Sequence, residues 1–253
     1  MNSNSMPRYI HIAEVASTNT YLAGTAAVLP GGTVIYTSRQ TAGRGQKGNS
    51  WESEPGKNLT FSMLLKRPPV APQRQFAISE AVSVAIVDVL NTLGDGFAIK
   101  WPNDIYWHDR KLAGILIEHS LVEGAIAHSI IGVGLNVNQT LFVSNAPNPV
   151  SLAQITGREY DLEALLHQLC ERMEALCALP GDEAIAELHT RYRAMLYRAD
   201  GQPHSFATPA GQPFMATIVD VAPDGMLTLR HDDGTEHSYA FKQVQHIIGN
   251  TQL

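Results

Sequence analysis

A glycine-rich segment constrains the fold of this 253-residue chain more than any other feature. It reads TAGRGQKGNSW, from Thr41 to Trp51. Its glycines follow the G-x-G-x-x-G pattern of dinucleotide-binding loops, and the same residues nearly match a P-loop, except that Asn49 stands where that loop needs a lysine. Both loops open a helix, because the phosphates bind at the helix N-terminus. The residues that follow therefore decide whether either interpretation holds.

Those following residues do not favour a helix. Few are helix formers, and Pro55-Gly56 would end any helix early. The next regular element is a predicted strand at Asn58–Leu65, so the loop joins two strands and both nucleotide fingerprints fail. Its glycines still let backbone N–H groups approach an anion, Arg44 and Lys47 add positive charge, and Trp51 offers a flat face. A solvated connection between strands is the alternative, and this segment alone leaves both open.

Hydrophobic patterning predicts one larger domain of helices and strands, followed by a small β module. The predicted helices are Asn19–Ala27, Arg74–Leu93, Leu162–Ala178 and Glu183–Tyr197. The predicted strands are Thr33–Ser38, Asn58–Leu65, Phe97–Trp101, Ala113–Glu118 and Ala127–Asn138. From about Gly201, turn sequences separate short strand-like runs. We therefore expect a first domain over residues 1–200 and a second over 201–253.

Composition limits the classes of function. The net charge of −6 gives no general reason to expect nucleic acid as a partner. No apolar run is long enough to span a bilayer, and the N-terminal MNSNSMPRY lacks the apolar core of a secretion signal. Cys170 and Cys177 fall on one face of a predicted helix without histidines at metal-ligand spacing, so we expect them in the core. A cytoplasmic protein without membrane or nucleic-acid partners and without a protein metal site is therefore expected.

Two further segments combine charged or amide side chains with glycine. In KWPNDIYWHDRKLAGILIE, Lys100 and Lys111 flank a proline turn, and Gly114 would let a ligand approach its backbone closely. In GVGLNVN, which begins at Gly132, strand alternation would place both asparagines on one side. Taken singly, each has a simpler interpretation: surface lysines beside an ordinary turn, or a strand packed on a helix.

Taken together, these motifs resemble one family, the bacterial biotin–protein ligases or biotin–[acetyl-CoA-carboxylase] ligases. The matching residues are Ser17-Thr18-Asn19, Thr41–Trp51, Asn58–Ser62, Lys100–Asp104, Arg110–Glu118 and Gly132–Asn138. The resemblance implies an α/β (α+β) fold whose mixed sheet carries helices on one side, related to lipoate ligases and class II aminoacyl-tRNA synthetases. It implies a ligase-type catalytic domain over 1–200 and an SH3-like β-barrel over 201–253. Because Ser17 lies near the N-terminus, it also implies the monofunctional form without a DNA-binding domain.

The resemblance implies a two-step reaction that consumes biotin and ATP with Mg²⁺. Biotin and ATP first give biotinyl-5′-AMP, and biotin then passes to one lysine of a biotin carboxyl carrier protein. Such an enzyme is expected to be a monomer or a homodimer. A lipoate or octanoate ligase or transferase of the same fold is the alternative, although its loop is generally of Ser-Gly-Gly-Gly type, where this chain has Gly43-Arg-Gly-Gln. A biotin-binding protein without transfer activity is a third possibility.

Residue roles are implied by the same resemblance. Lys111 and Arg44 are expected to be catalytic. The residues expected to bind biotin are Ser17, Thr18, Asn19, Gln40, Gly43, Arg44, Gly45, Gln46, Lys111, Gly114, Leu116 and Gly132. Those expected to bind ATP are Lys47, Trp51, Lys100, Asn103 and Asn136, with Trp51 packed on adenine. The loop departs from the family at Gln46 and Asn49, where many members carry further arginines.

Overall fold

A computed structural model describes residues 8–46, 49–143, 148–179 and 181–249. Within these ranges a seven-stranded sheet has the strand order β1-β2-β3-β7-β6-β5-β4. Its strands are β1 (Tyr9–Val15), β2 (Val34–Gln40), β3 (Leu59–Lys66), β4 (Phe97–Lys100), β5 (Asp104–Trp107), β6 (Arg110–Val122) and β7 (Ala125–Leu135). The pair β1–β2 is parallel and the other neighbours are antiparallel, which confirms the predicted mixed sheet.

Five α-helices accompany this sheet in the described part of the chain. They are α1 (Thr18–Thr25), α2 (Phe76–Leu90), α3 (Leu152–Thr156), α4 (Leu162–Cys177) and α5 (Asp182–Ala194). None of the described helices combines the length and the apolar character that crossing a bilayer requires. Cys170 and Cys177 lie buried in α4, where burial raises the pKa of each thiol to about 12, so their predicted place in the core is confirmed.

The two faces of the sheet carry different helices. On β3, Phe61 and Met63 pack in the main core with α2, α4 and α5, as a sheet with helices on one side requires. Leu64 points to the opposite face, where it packs with Leu22 of α1. This follows from the two-residue alternation of a strand. The short helix α1 therefore lies on the otherwise open face, a placement that the sequence prediction did not include.

Two strands of the first sheet and one α-helix, all within the described residues, were not predicted. Strand β1 reads YIHIAEV, and the five-residue α3 is shorter than periodicity can detect. Strand β5 reads DIYW and pairs with both β4 and β6, so the WPND segment forms a turn between β4 and β5. Four residues between a proline turn and a charged stretch carry too little pattern to identify a strand on their own.

A second sheet is antiparallel and has the order β11-β10-β9-β8-β12. Its strands are β8 (His204–Ala207), β9 (Pro213–Val221), β10 (Leu227–His231), β11 (Glu236–Tyr239) and β12 (Gln245–His246). It is held to the first sheet by Trp101, whose Nε1 donates to the Gly225 carbonyl at 2.9 Å. Gly225 has a φ of 90°, and an added Cβ would lie 2.7 Å from the Phe76 ring. The second sheet therefore packs tightly against Trp101 and helix α2 at this turn.

A histidine bracketed by carboxylates also joins the second sheet to the helices. His189 of α5 contacts Glu80 of α2 through Nδ1 at 2.8 Å and Asp220 of β9 through Nε2 at 3.1 Å. Arg193 contacts the same Asp220 oxygen at 3.3 Å. Burial raises the pKa of Glu80 above its usual value, and this outweighs the lowering by His189. The folded protein thus holds the Glu80 proton more tightly than the unfolded chain.

Replacing Glu80→Gln should remove a pH-dependent loss of stability. Because the pKa of Glu80 is raised on folding, its contribution is fully present below the unfolded value near 4.5 and is lost as pH rises through the folded value. The stability difference in favour of Glu80→Gln should therefore grow as pH rises from about 4.5 through the folded value, and then become constant. Urea unfolding of both proteins across a pH series measures it. Parallel stability curves would contradict the assignment.

Candidate functional site

A cavity of about 550 Å³ opens on the face of the first sheet that carries α1. The glycine loop, the sheet floor, the β4–β5 turn and the second sheet enclose it. Its size suits a small organic ligand rather than an extended polymer.

The floor of the cavity is formed by glycines in neighbouring strands. Gly132 of β7 pairs with Leu116 of β6, and Gly134 pairs with Gly114. A Cβ at Gly132 would lie 2.2 Å from Asn19 Oδ1, and a Cβ at Gly134 would lie 2.3 Å from Trp51 Cε2. The missing side chains therefore let Asn19 and the Trp51 indole lie directly on the strand backbone.

One end of the cavity carries a buried network of uncharged polar groups. Ser62 Oγ lies 2.6 Å from Asn19 Oδ1 and 2.7 Å from Thr18 Oγ1. Gln40 Oε1 accepts from the Thr18 backbone N–H at 2.9 Å. Ser17 caps α1 by accepting from the Thr20 N–H, which fixes the helix start where this network begins. Hydroxyl and amide groups held in this way match a neutral, hydrogen-bonding ligand head group.

Cations line the same cavity from four segments, as Arg44, Lys100, Lys111 and Lys242. Lys111 Nζ lies 2.7 Å from Asp104 Oδ1 and 5.8 Å from the centroid of the Trp51 ring. Lys100 Nζ lies 5.2 Å from the Tyr106 ring centroid, and burial lowers its pKa. Such a desolvated ammonium gains most from a bound anion. The cavity therefore combines a neutral polar end with lysines suited to phosphate or carboxylate.

Arg44 of the glycine loop connects the cations to the polar network. Its Nη2 lies 3.0 Å from Glu118 Oε2, and the same carboxylate oxygen accepts from Asn19 Nδ2 at 2.7 Å. Because Arg44 and Glu118 are both well exposed, the ion pair contributes at most about 1 kcal/mol. The ion pair matters for geometry, because it ties the glycine loop to the end of the cavity that carries Asn19.

Backbone pairing fixes the start of the strand that carries Lys111. The Lys111 N–H donates to the Asn148 carbonyl, and the Val150 N–H donates to the Lys111 carbonyl, each at 2.9 Å. The Asn136 side chain in turn donates to the Val150 carbonyl at 3.0 Å. Residues 148–150 therefore act as a short strand that positions Lys111 beside the cavity.

Most of the predicted site residues line this one cavity. They are Ser17, Thr18, Asn19, Gln40, Arg44, Gly45, Gln46, Trp51, Lys100, Asn103, Lys111, Gly114, Leu116 and Gly132. Lys47 lies outside the described residues. The ligand contacts themselves stay a prediction.

Two predicted residues do not reach the cavity. Asn136 is buried, its amide donates to the Val150 carbonyl, and it does not line the cavity; its predicted nucleotide contact stays a prediction. Gly43 does not line the cavity; a Cβ there would lie 2.6 Å from the Trp51 carbonyl oxygen, so its role is to permit the loop turn. Trp51 was predicted to pack on adenine, and here its indole covers Gly114 and Gly134.

Several residues of the site were missed by sequence reasoning. Asp104 and Glu118 pair with the predicted cations, Thr60 lines the cavity from β3, and the fully buried Ser62 supports it through Thr18 and Asn19. The alternation of polar and apolar residues in NLTFSMLL could have identified Thr60 and Ser62. His246 of β12 also lines the cavity, and burial lowers its pKa to about 3. No sequence signal placed β12 there.

Comparisons with known proteins agree with this geometry. Residues 12–136 match the biotin/lipoate A/B protein ligase family. The bifunctional ligase/repressor BirA of Escherichia coli is 33% identical over 183 residues, which cover 72% of this chain and 57% of that protein. The biotin–[acetyl-CoA-carboxylase] ligase of Mycobacterium tuberculosis is 29% identical over 224 residues, covering 86% and 81%. The chain thus spans little more than half the length of BirA.

A solved structure confirms the fold. The biotin protein ligase from Aquifex aeolicus, determined in complex with biotin and ATP, superposes with a TM-score of 0.78 at 22% identity. The match covers 96% of this chain and 100% of that one, so it includes both sheets. The α+β architecture and the small C-terminal β unit are therefore shared.

Proposed function

Because the chain belongs, through residues 12–136, to the biotin/lipoate A/B protein ligase family, we propose that it is an ATP-dependent biotin–protein ligase. Its products would be biotinyl-5′-AMP and then a biotinylated lysine of a biotin carboxyl carrier protein. One observation carries the proposal: a neutral hydrogen-bonding network and a set of lysines occupy one cavity over a glycine floor. The ureido ring and the carboxylate of biotin have this same division between a neutral and an anionic end.

In the first step, a biotin carboxylate oxygen attacks the α-phosphorus of ATP, and the bond to pyrophosphate breaks. Two anions must meet, so positive charge at the junction lowers the barrier. Lys111 is the group we assign to this junction, with Lys100 beside the phosphates and Arg44 closing the loop. The Ser62 network would orient the ureido ring, so that the carboxylate points towards Lys111.

Mg²⁺ would neutralise the phosphates when bound. No group of three or more His, Cys, Asp or Glu side chains among the described residues could hold a metal ion by itself. Mg²⁺ is ordinarily held by one or two carboxylates together with substrate phosphates. Asp104, a carboxylate within the cavity, fits that donor set.

In the second step, the lysine amine of the acceptor attacks the acyl carbon of the adenylate. The carbon–oxygen bond to AMP breaks, AMP leaves with the electron pair, and the amine releases a proton to solvent. Lys111 would stabilise the negative charge that develops on the departing phosphate. The Trp51 indole and the Arg44 loop would protect the mixed anhydride from water in the interval between the steps.

ATP–pyrophosphate exchange tests the proposal with three acids. We expect exchange driven by biotin and not by lipoate or octanoate, followed by transfer of labelled biotin to a biotin carboxyl carrier protein. Exchange driven only by lipoate or octanoate would assign the alternative ligase activity. Biotin binding without exchange would instead identify a binding protein, and either of these two results would overturn the assignment as a biotin–protein ligase.

A further inference from the structure

We propose that the Thr60 hydroxyl donates a hydrogen bond to the ring sulphur of biotin, which makes Thr60 a specificity residue for the intact thioether ring. The inference rests on the proposed function. The proposed function names biotin as the ligand, and this inference names the protein group that contacts one of its atoms.

Thr60 is a buried polar residue of β3 whose hydroxyl stands without a hydrogen-bond partner in the part of the chain that the structure describes. The residue is 6% exposed, it lines the cavity, and its Oγ1 has no hydrogen-bond partner among the described residues. A buried hydroxyl without a partner is unfavourable, because it has given up its bonds to water without replacing them. On β3, Thr60 lies on the same face as Ser62, two residues away, and therefore about 7 Å from it along the strand.

Its position in the sheet places Thr60 between the two ends of the cavity. Thr60 pairs with Gly134, Gly134 pairs with Gly114, and Gly114 pairs with Asp104, the partner of Lys111. Ser62 belongs to the next row, opposite Gly132. Thr60 therefore lies next to the Ser62 network. It belongs to the row of paired residues that leads across the sheet to Asp104, the partner of Lys111.

The chemistry of biotin then leaves one partner for this hydroxyl. Biotin has polar atoms only in its ureido group, its ring sulphur and its carboxylate. The ureido group is assigned to the Ser62 network and the carboxylate to the Lys111 end. The fused sulphur ring follows the ureido ring directly, at the level of Thr60. A thioether sulphur is a weak acceptor and a threonine hydroxyl can donate to it.

Biotin and dethiobiotin, which lacks the sulphur, provide the test. Thr60→Val removes the hydroxyl and keeps the side-chain shape, whereas Thr60→Ser keeps the hydroxyl. Binding of both ligands to the full chain is measured by calorimetry, and each variant is checked by thermal unfolding. We expect Thr60→Val to weaken biotin binding about three- to tenfold and to leave dethiobiotin binding within about twofold of the wild type. Thr60→Ser should bind biotin about as well as the wild type.

Each outcome decides the inference. An equal loss of affinity for both ligands in Thr60→Val would mean that the hydroxyl contacts another group of the ligand. Unchanged affinity for both would mean that the hydroxyl does not contact the ligand. Either result overturns the sulphur contact and leaves the ligase assignment intact. Wild-type protein that binds neither ligand would overturn the proposed function together with this inference. A loss confined to biotin would support it.

Discussion

Replacing Lys111→Met should lower biotin-driven ATP–pyrophosphate exchange by about 10²- to 10³-fold, the loss typical when one preorganised electrostatic contact to a transition state is removed. Methionine keeps most of the side-chain stem and removes the charge that faces the Trp51 ring and Asp104. Without that charge, the biotin carboxylate and the α-phosphate would approach beside an uncompensated Asp104. Exchange at saturating biotin and ATP measures the effect on the chemical step.

Two controls separate catalysis from folding and from the Asp104 charge that the substitution leaves behind. Lys66→Met removes an exposed lysine at the end of β3 and should leave the exchange rate unchanged. Adding Asp104→Asn to Lys111→Met removes that carboxylate; exchange should remain low, because the cation is still missing and Asp104 is also the proposed Mg²⁺ ligand, so only a recovery of exchange would be decisive. A well-folded Lys111→Met protein with near wild-type exchange would be incompatible with the assigned role. Full recovery in the double variant would shift the explanation to Asp104.

The local sequence was sufficient for those features that depend on neighbouring residues. Pro55-Gly56 and the β-branched run before the glycine loop predicted a loop between strands, and β2 and β3 flank it. The long helices and the change to a β module after Gly201 were likewise visible in local patterns. In each case the deciding signal lies within a few residues of the element it predicts.

Strand ends and long-range partners could not be obtained in this way. Strand alternation was expected to continue through Asn136 and Asn138 and to place both on one side, but β7 ends at Leu135 and the Asn136 amide donates to the Val150 carbonyl. The pairs Lys111–Asp104 and Arg44–Glu118 depend on sheet register and on where the loop folds back. Register is a property of the whole sheet, so no short motif encodes it.

The register of the sheet places Gly132 directly under the Asn19 side chain. Gly132→Ala should therefore weaken biotin binding by about 10²-fold or more. The added Cβ would lie 2.2 Å from Asn19 Oδ1, so the Asn19 side chain must leave its place. Asn19 would then no longer reach Ser62 Oγ, now at 2.6 Å, or Glu118 Oε2, now at 2.7 Å. The ureido ring would then lose its proposed hydrogen bonds to Asn19 and to the network that Asn19 orders, and two such bonds at about 1–3 kcal/mol each account for the magnitude. Calorimetric titration with biotin measures it.

A double-mutant cycle tests whether Asn19 is the route of this effect. If Gly132→Ala acts by displacing Asn19, then Asn19→Ala and the double variant should bind biotin with similar weakness, because both changes remove the same hydrogen bonds. Additive losses would instead mean that Gly132 is needed for the backbone itself or for direct ligand contact. Gly24→Ala is the matched control: it lies in α1 with Asn19, and its added Cβ has nothing within 4 Å. Alanine favours a helix by about 1 kcal/mol over glycine, so this variant should be more stable and bind biotin unchanged.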